Sequence, residues 1–216
     1  AGVIALLLGR PAVAVKHFRA SAARQPESAS AHYNVGTALT AAGLFDDAVA
    51  SYERALQLRP RYAKALSNLG ETLMALGRTA EAIKRYEQAV AADAFMPEAR
   101  HNLGAALWRK GEILRAEREL NEAIRLRPDY AEAFFNLGHT AVRDKRIGDA
   151  AAHFRRAATL KDDWLVALTT ASWVLATAGD GAVRAPAEAV RFAERAARLT
   201  ARRDARTLDV LAVAYA

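Results

Sequence analysis

Residues 30–60 read SAHYNVGTALTAAGLFDDAVASYERALQLRP, and this stretch decides the fold. It begins with a helical pattern, breaks at Gly43, resumes around Ala48, Tyr52 and Ala55, and stops at Pro60. Glycine commonly follows a helix end, and proline cannot continue a helix because it lacks the amide donor. The stretch therefore predicts two consecutive helices joined by a tight turn.

The pattern returns when the sequence is shifted by 34 residues. Three residue types mark the interval: Asn34, Asn68, Asn102 and Asn136; Gly36, Gly70, Gly104 and Gly138; Ala48, Ala82, Ala116 and Ala150. A fixed period of this kind is the signature of a stacked array, in which each unit buries its apolar face against its neighbours. The sequence predicts an all-α solenoid.

Spacing within the repeat predicts which residues pack. Positions 4, 7, 8 and 11, numbered from Ala29, are His32, Val35, Gly36 and Leu39. This i, i+3, i+4, i+7 spacing forms one stripe of an α-helix, so we expect it to face the partner helix. Glycine at position 8 and alanine at positions 20 and 27 allow helix axes to approach to about 8–10 Å.

The complete set of signature positions resembles the tetratricopeptide repeat. In the first full unit these positions are His32, Val35, Gly36, Leu39, Ala48, Tyr52, Ala55 and Pro60. The resemblance implies a right-handed α-solenoid superhelix of stacked antiparallel helix pairs, whose first helices line a concave groove. It also implies that the chain binds other proteins.

The resemblance covers essentially the whole chain, which we interpret as one solenoid spanning residues 1–216. Its predicted segments are a partial repeat at 1–28, repeats at 29–62, 63–96, 97–130 and 131–164, a repeat with a lengthened turn at 165–204, and the truncated first helix of a further repeat at 205–216. The open helices at both ends predict a fragment of a longer array.

Composition and charge exclude several classes of function. The chain has no cysteine, so it has no disulfide, thiolate metal site or thiol nucleophile. Its net charge of +7 makes nucleic acid and anionic membranes candidate partners. However, the arginines fall mainly on the second helices among glutamates, whereas phosphate binding requires clustered basic groups. We predict a solvated outer face and no nucleic-acid partner.

The apolar opening at residues 1–8 is similar to the core of a signal peptide but lacks a basic leader. It also keeps the register of the repeat, so we interpret it as the end of a helix and predict no membrane insertion. For the compartment, which the sequence does not fix, we favour the cytoplasm. The Ala- and Arg-rich composition is typical of bacterial multi-repeat proteins.

Position 6 of the first helices carries Asn34, Asn68, Asn102 and Asn136, and then Thr170. In this family the position points into the groove, and the series resembles the asparagine ladder in the repeats of O-linked N-acetylglucosamine transferases. There, aligned amides hold the main chain of an extended peptide. An amide offers both a donor and an acceptor, so it can pair with a peptide unit whatever its side chains are.

The remaining predicted peptide-binding residues surround this ladder. They are Tyr33, His101, Phe135, Glu71, His139, Trp108, Arg109, Arg143 and Trp173. Aromatic side chains with a polar handle are common binding anchors. Two interpretations stay open, because the asparagines could instead hydrogen-bond neighbouring first helices and the aromatics could pack between repeats.

Other site chemistry has little support in the sequence. Position 6 is never basic, so the clamp with which some tetratricopeptide domains grip a terminal carboxylate is absent. His101 and His139 lack a third ligand or a neighbouring carboxylate for a metal or acid–base site. We predict no catalytic residue, no metal and no cofactor.

These observations favour a non-catalytic scaffold that binds a protein or an extended peptide segment. It could serve as the substrate-recruiting part of a larger protein. The alternative is a self-assembly or domain-linking module that associates end to end through open repeat ends, without a peptide ligand.

Overall fold

All 216 residues are described by the computed structural model, and every regular element is an α-helix. The thirteen helices are α1 (Gly2–Leu7), α2 (Pro11–Arg24), α3 (Ala29–Ala41), α4 (Phe45–Leu58), α5 (Ala63–Ala75), α6 (Thr79–Ala92), α7 (Pro97–Lys110), α8 (Ile113–Leu126), α9 (Ala131–Arg143), α10 (Ile147–Leu160), α11 (Leu165–Thr177), α12 (Pro186–Leu199) and α13 (Ala205–Tyr215). They divide into two units, Ala1–Lys110 and Gly111–Ala216.

In the first unit the helices form antiparallel pairs that stack side by side. Helix α1 packs on α2, α3 on α4 and α5 on α6, and α2, α4 and α6 each contact the helix that follows. The first helices α3, α5 and α7 also neighbour one another, so first helices alone build one face of the stack.

The second unit repeats this arrangement. Helix α9 pairs with α10 and α11 with α12, while α8 packs on α9, α10 on α11 and α12 on α13. Helices α11 and α13 are neighbours, as first helices are in the first unit. The predicted all-α solenoid of antiparallel helix pairs is thus confirmed within each unit.

The backbone at Gly43 shows how a first helix ends. Helix α3 stops at Ala41, and Gly43 adopts a left-handed conformation with φ of 75°. The amide of Leu44 then donates to the carbonyl of Leu39 at 2.9 Å, which closes the helix end. Lys145 takes the same place after α9 with φ of 59°, so this end forms without glycine.

A glycine on the first helix and a ring on the second set the distance within a pair. A Cβ atom added at Gly36 would lie 2.7 Å from the Tyr52 ring, and one at Gly138 would lie 2.5 Å from the Phe154 ring. Carbon atoms normally meet at about 3.5–4.0 Å, so the rings lie directly on the helix backbone. The alanines at positions 20 and 27 are fully buried: Ala48, Ala55, Ala82, Ala89, Ala116, Ala123, Ala150 and Ala157.

The pair α11–α12 packs differently, because Ser172 stands at the glycine position and Ala193 at the ring position. Ser172 is buried, and its hydroxyl donates to the carbonyl of Ala189 at 2.8 Å. The hydroxyl fits because Ala193 leaves the space that a ring fills in the other pairs.

The outer surface is built from second helices, whose arginines are interleaved with acids as the sequence pattern indicates. Ion pairs bridge consecutive second helices at Arg19–Asp47, Arg85–Glu53 and Arg155–Glu188. Exposed pairs of this kind contribute less than about 1 kcal/mol each. Their consequence here is that much of the positive charge on this face is locally compensated.

Candidate functional site

All of the predicted site residues lie on first helices. Those that are half-buried are Tyr33, Asn34, Asn68, His101, Asn102, Trp108, Phe135, Asn136, His139 and Thr170. Those that are exposed are Glu71, Arg109, Arg143 and Trp173. The first-helix face of each unit therefore presents amides, aromatic rings and a few charges.

In the first unit the three asparagines of position 6 have different environments. The Asn68 amide nitrogen donates to the Tyr33 hydroxyl at 3.2 Å, which links α5 to α3. The Asn102 side-chain oxygen lies 3.1 Å from Nδ1 of His101. The amide of Asn34 makes no hydrogen bond within the chain. Of these three asparagines, Asn68 and Asn102 thus use hydrogen bonds within the chain, whereas the amide of Asn34 is available to a ligand.

Beneath Asn68 lies a network of hydroxyl groups that joins α3 to α5. The Tyr52 hydroxyl is 3.4 Å from the hydroxyls of both Thr37 and Thr40. The Thr40 hydroxyl meets that of Thr72 on α5 at 3.1 Å. Burial raises the pKa of Tyr52, so its hydroxyl stays neutral.

Sequence reasoning missed this network because it assigned Tyr52 to packing alone. A signal was available in the phenol itself, since a buried hydroxyl requires a partner. Threonines on the facing helix, Thr37 and Thr40, were the nearest candidates for that partner.

The second part of the first unit carries an acid next to a buried phenol. Glu71 lies on α5 and is exposed, while Tyr86 on α6 is buried with its ring against Gly70. Burial, with a smaller effect of the Glu71 carboxylate, raises the pKa of Tyr86. The phenol of the second helix thus lies within reach of the charge of an exposed acid on the first helix.

In the second unit aromatic rings form a cluster around Phe135. Its ring centroid lies 4.7 Å from that of His139, 4.7 Å from that of Trp164 and 5.4 Å from that of Phe154. Burial lowers the pKa of His139, so its imidazole is neutral at pH 7. The geometry favours packing between repeats as the main role of Phe135.

Near the end of the chain a cleft opens between α11 and α13. Its volume is about 690 Å³, and its lining includes Val166, Thr169, Thr170, Trp173 and Asp209. Trp173 is 48% exposed, which leaves one face of the indole available to a partner. Of the predicted residues in the second unit, Thr170 and Trp173 share this cleft.

The chain shows neither a metal-binding cluster nor a membrane-spanning helix. No group of three or more His, Asp or Glu side chains is placed to hold a metal ion. No helix has both the length and the apolar character that crossing a membrane demands.

Stacked helix pairs whose first helices present amides, hydroxyls and rings define an α-solenoid interaction scaffold. The family model described as Tetratricopeptide repeat matches residues 27–94, and a second model of that description matches residues 101–163. Together these stretches cover more than half of the chain, which therefore belongs to the tetratricopeptide repeat family. The particular likeness to O-linked N-acetylglucosamine transferases stays a prediction.

Several solved structures share this fold. MamA is 26% identical over 78% of this chain and 95% of its own, with a TM-score of 0.66. A chain of the APC/C hetero-tetramer Cut9-Hcn1 is 19% identical over 100% of this chain and 42% of its own, with a TM-score of 0.79. YrrB, described as a TPR protein with an unusual peptide-binding site, is 20% identical over 89% of this chain and 96% of its own, with a TM-score of 0.65.

At 19% and 20% identity the last two comparisons establish the fold alone. Among curated proteins no sequence matches this chain.

Proposed function

We propose that this chain is a non-catalytic scaffold whose first-helix faces bind an extended peptide or protein segment by its main chain. The observation that carries the proposal is the state of the asparagines of position 6. They stand half-buried on first helices, and the amides of Asn68 and Asn102 keep hydrogen-bonding capacity beyond the bonds that they make within the chain.

The hydrogen bond that the Asn68 side chain makes within the chain is compatible with ligand binding. A primary amide offers two donors and two acceptor lone pairs. Asn68 uses one donor on the Tyr33 hydroxyl. This bond fixes the orientation of the amide, which lowers the entropy lost when a ligand orders it. The structural and the ligand-binding interpretations of the ladder are therefore complementary.

The other predicted residues take supporting roles in this proposal. In the first unit Tyr33 and His101 hold ladder amides, while Glu71, Trp108 and Arg109 flank them. In the second unit Asn136 and Thr170 continue the series, and Trp173 supplies an open aromatic face. Phe135 and His139 form a wall of packed rings, and Arg143 is a charge at the end of α9.

A peptide array tests the proposal directly. Capped twelve-residue peptides are screened on the purified chain, and the tightest binder is remade with alternate main-chain amides N-methylated or with its sequence scrambled. We expect scrambling to weaken binding only modestly, because an amide ladder reads main chain. N-methylation should abolish it, and an N-methylated peptide that binds as well as its parent contradicts the proposal.

Variants of the chain complete this test. The double variant Asn68→Ala with Asn102→Ala should weaken the peptide at least about tenfold, since two hydrogen bonds are lost. Asn121→Ala is the matched control, because Asn121 is an exposed asparagine of α8 that bonds only its own helix. Equal loss of binding and of thermal stability in the double variant would assign the ladder to structure instead.

One observation favours self-association as a second candidate function. Helix α1 and the residue after it expose the apolar side chains Val3, Ile4, Leu7 and Leu8. Contiguous exposed apolar surface commonly marks a binding surface. Light scattering across a hundredfold range of concentration checks this, with Leu7→Lys as the disrupting variant. A chain that stays monomeric throughout rules the candidate out.

A further inference from the structure

Two tyrosines at equivalent places in consecutive repeats differ in their hydrogen bonding. The ring of Tyr52 packs on Gly36, and its hydroxyl bonds two threonine side chains. The ring of Tyr86 packs on Gly70 in the same way and is only 3% exposed. Its hydroxyl, however, makes no hydrogen bond with any group of the chain.

The difference follows from the residues that surround each hydroxyl. One repeat after Thr37 stands Glu71, and one repeat after Thr40 stands Met74. The hydroxyl partners of Tyr52 are thus replaced around Tyr86 by a carboxylate and a thioether.

The carboxylate of Glu71 also lacks a partner of opposite charge. Acids on the outer face of the same unit are paired, as Glu53 is with Arg85 at 3.6 Å. Glu71 forms no ion pair, although the chain carries a net charge of +7. The Tyr86 ring is buried and its hydroxyl bonds no group of the chain, and the unpaired carboxylate of Glu71 lies within electrostatic reach of it on the face that is proposed to bind peptides.

We propose that Glu71 and Tyr86 form a subsite for a cationic side chain, lysine or arginine, of the bound segment. This inference rests on the proposed function, since the segment's main chain must lie along the first helices to deliver the side chain. It deepens that function by naming one residue class that the ligand should contain.

The chemistry of the pair fits a cation. Ammonium and guanidinium groups carry donors only, and carboxylate and phenol oxygens both accept. Hydrogen bonds that involve a charged group are roughly twice as strong as neutral ones. Met74 follows Glu71 by three residues on α5 and is half-buried. Its side chain offers an apolar surface for the methylene stem of a lysine or arginine.

Neutral and acidic side chains fit this subsite less well. An acidic side chain would be repelled by Glu71, and an aliphatic one would offer no donor to the carboxylate or to the Tyr86 hydroxyl. The proposed preference for a cation therefore has two causes: no side chain of the protein donates to these oxygens, and both oxygens can accept a hydrogen bond.

The test uses capped twelve-residue peptides of alanine, serine and threonine with one central residue varied. Peptides with central lysine, arginine, glutamine or norleucine are titrated by fluorescence anisotropy at low salt. The wild-type chain should bind the lysine and arginine peptides at least about tenfold more tightly than the glutamine peptide. Norleucine separates the contribution of the stem from that of the charge.

Three variants locate this preference. Glu71→Gln should reduce the ratio of the affinities for the lysine and glutamine peptides to less than about threefold. Tyr86→Phe should reduce this ratio only partially, because the charged hydrogen bond to Glu71 remains. Glu53→Gln removes the same amount of negative charge as Glu71→Gln, but from the outer face, and it should leave the affinity ratio unchanged. Glu71 is exposed, so Glu71→Gln tests the subsite without disturbing the fold.

The possible results separate this inference from the function on which it rests. Equal affinity of the wild-type chain for lysine and glutamine peptides overturns the subsite and leaves main-chain binding standing. A lysine preference that survives in Glu71→Gln also overturns it, since the cation then binds elsewhere. If none of the peptides binds, both the subsite and the peptide-binding function fall.

Discussion

Replacing Gly70 with alanine tests the close packing of a helix pair. A Cβ atom at this position would lie 2.6, 2.8 and 2.9 Å from three atoms of the Tyr86 ring. The ring is buried between α5 and α6, so it cannot swing into solvent to make room. The helices must separate, or the ring must shift by about 1 Å to restore an ordinary carbon–carbon contact.

Two opposing effects set the size of the change. Alanine in a helix interior is favoured over glycine by about 1 kcal/mol. Overpacking of a well-filled core costs about 1–3 kcal/mol. We therefore expect Gly70→Ala to lower the free energy of unfolding by up to about 2 kcal/mol, although helix propensity alone would raise it.

The assay is urea and thermal unfolding followed by circular dichroism, with a double-mutant cycle. Tyr86→Leu removes the ring, and leucine already stands at the equivalent position as Leu120. In that background Gly70→Ala should become neutral or stabilising, which gives a coupling energy of about 1–3 kcal/mol. Gly148→Ala is the control, because a Cβ atom there meets only Val183 at an ordinary 3.6 Å.

The reasoning is refuted if Gly70→Ala raises the free energy of unfolding by the roughly 1 kcal/mol that helix propensity alone gives while Tyr86 is intact. It is also refuted if the destabilisation persists unchanged after the ring is removed, since the clash would then lie elsewhere.

Two further predictions concern the second unit. Burial lowers the pKa of His139 below its usual 6.5, so below about pH 6.5 the unfolded chain takes up a proton that the native chain does not, and stability should fall. His139→Gln should show a smaller drop in thermal midpoint between pH 7.5 and 5.5 than the wild type, and equal drops contradict the assignment. Ser172→Ala removes a buried bond to the Ala189 carbonyl and should cost about 0.5–1.5 kcal/mol. Ser51→Ala, which removes an exposed bond within α4, should cost almost nothing by the same urea titration, and similar values for both would contradict the role of burial.

The helix pairs could be predicted from the sequence because each signature residue has a single steric reason. Gly36 is small because the Tyr52 ring lies on it, and Gly43 is glycine because the chain turns left-handed there. Both constraints involve neighbours within one repeat. A 34-residue period repeats them along the chain, and the pattern is therefore visible without a structure.

The state of the site residues could not be predicted in the same way. Whether Asn68 is free depends on the Tyr33 hydroxyl one repeat earlier, at 3.2 Å. Whether Phe135 is open depends on Trp164, which is remote in sequence and packs against it at 4.7 Å. Position within the repeat tells which face a side chain occupies, and contacts between consecutive helices decide what remains available to a ligand.

This division between fixed and variable positions indicates how a repeat array acquires specificity. The packing positions hold each first helix in place, so the side chain at position 9 of the repeat, which is Thr37 in one repeat and Glu71 in the next, can change without a change of packing. Thr37 therefore gives Tyr52 a hydrogen-bond partner, whereas Glu71 at the same place leaves Tyr86 without one. Together with the exchange of Thr40 for Met74, this leaves the Tyr86 hydroxyl open to the cation that we propose it accepts. In the proposed function the ladder amides bind main chain whatever its sequence, and exchanges of this kind decide which segments bind.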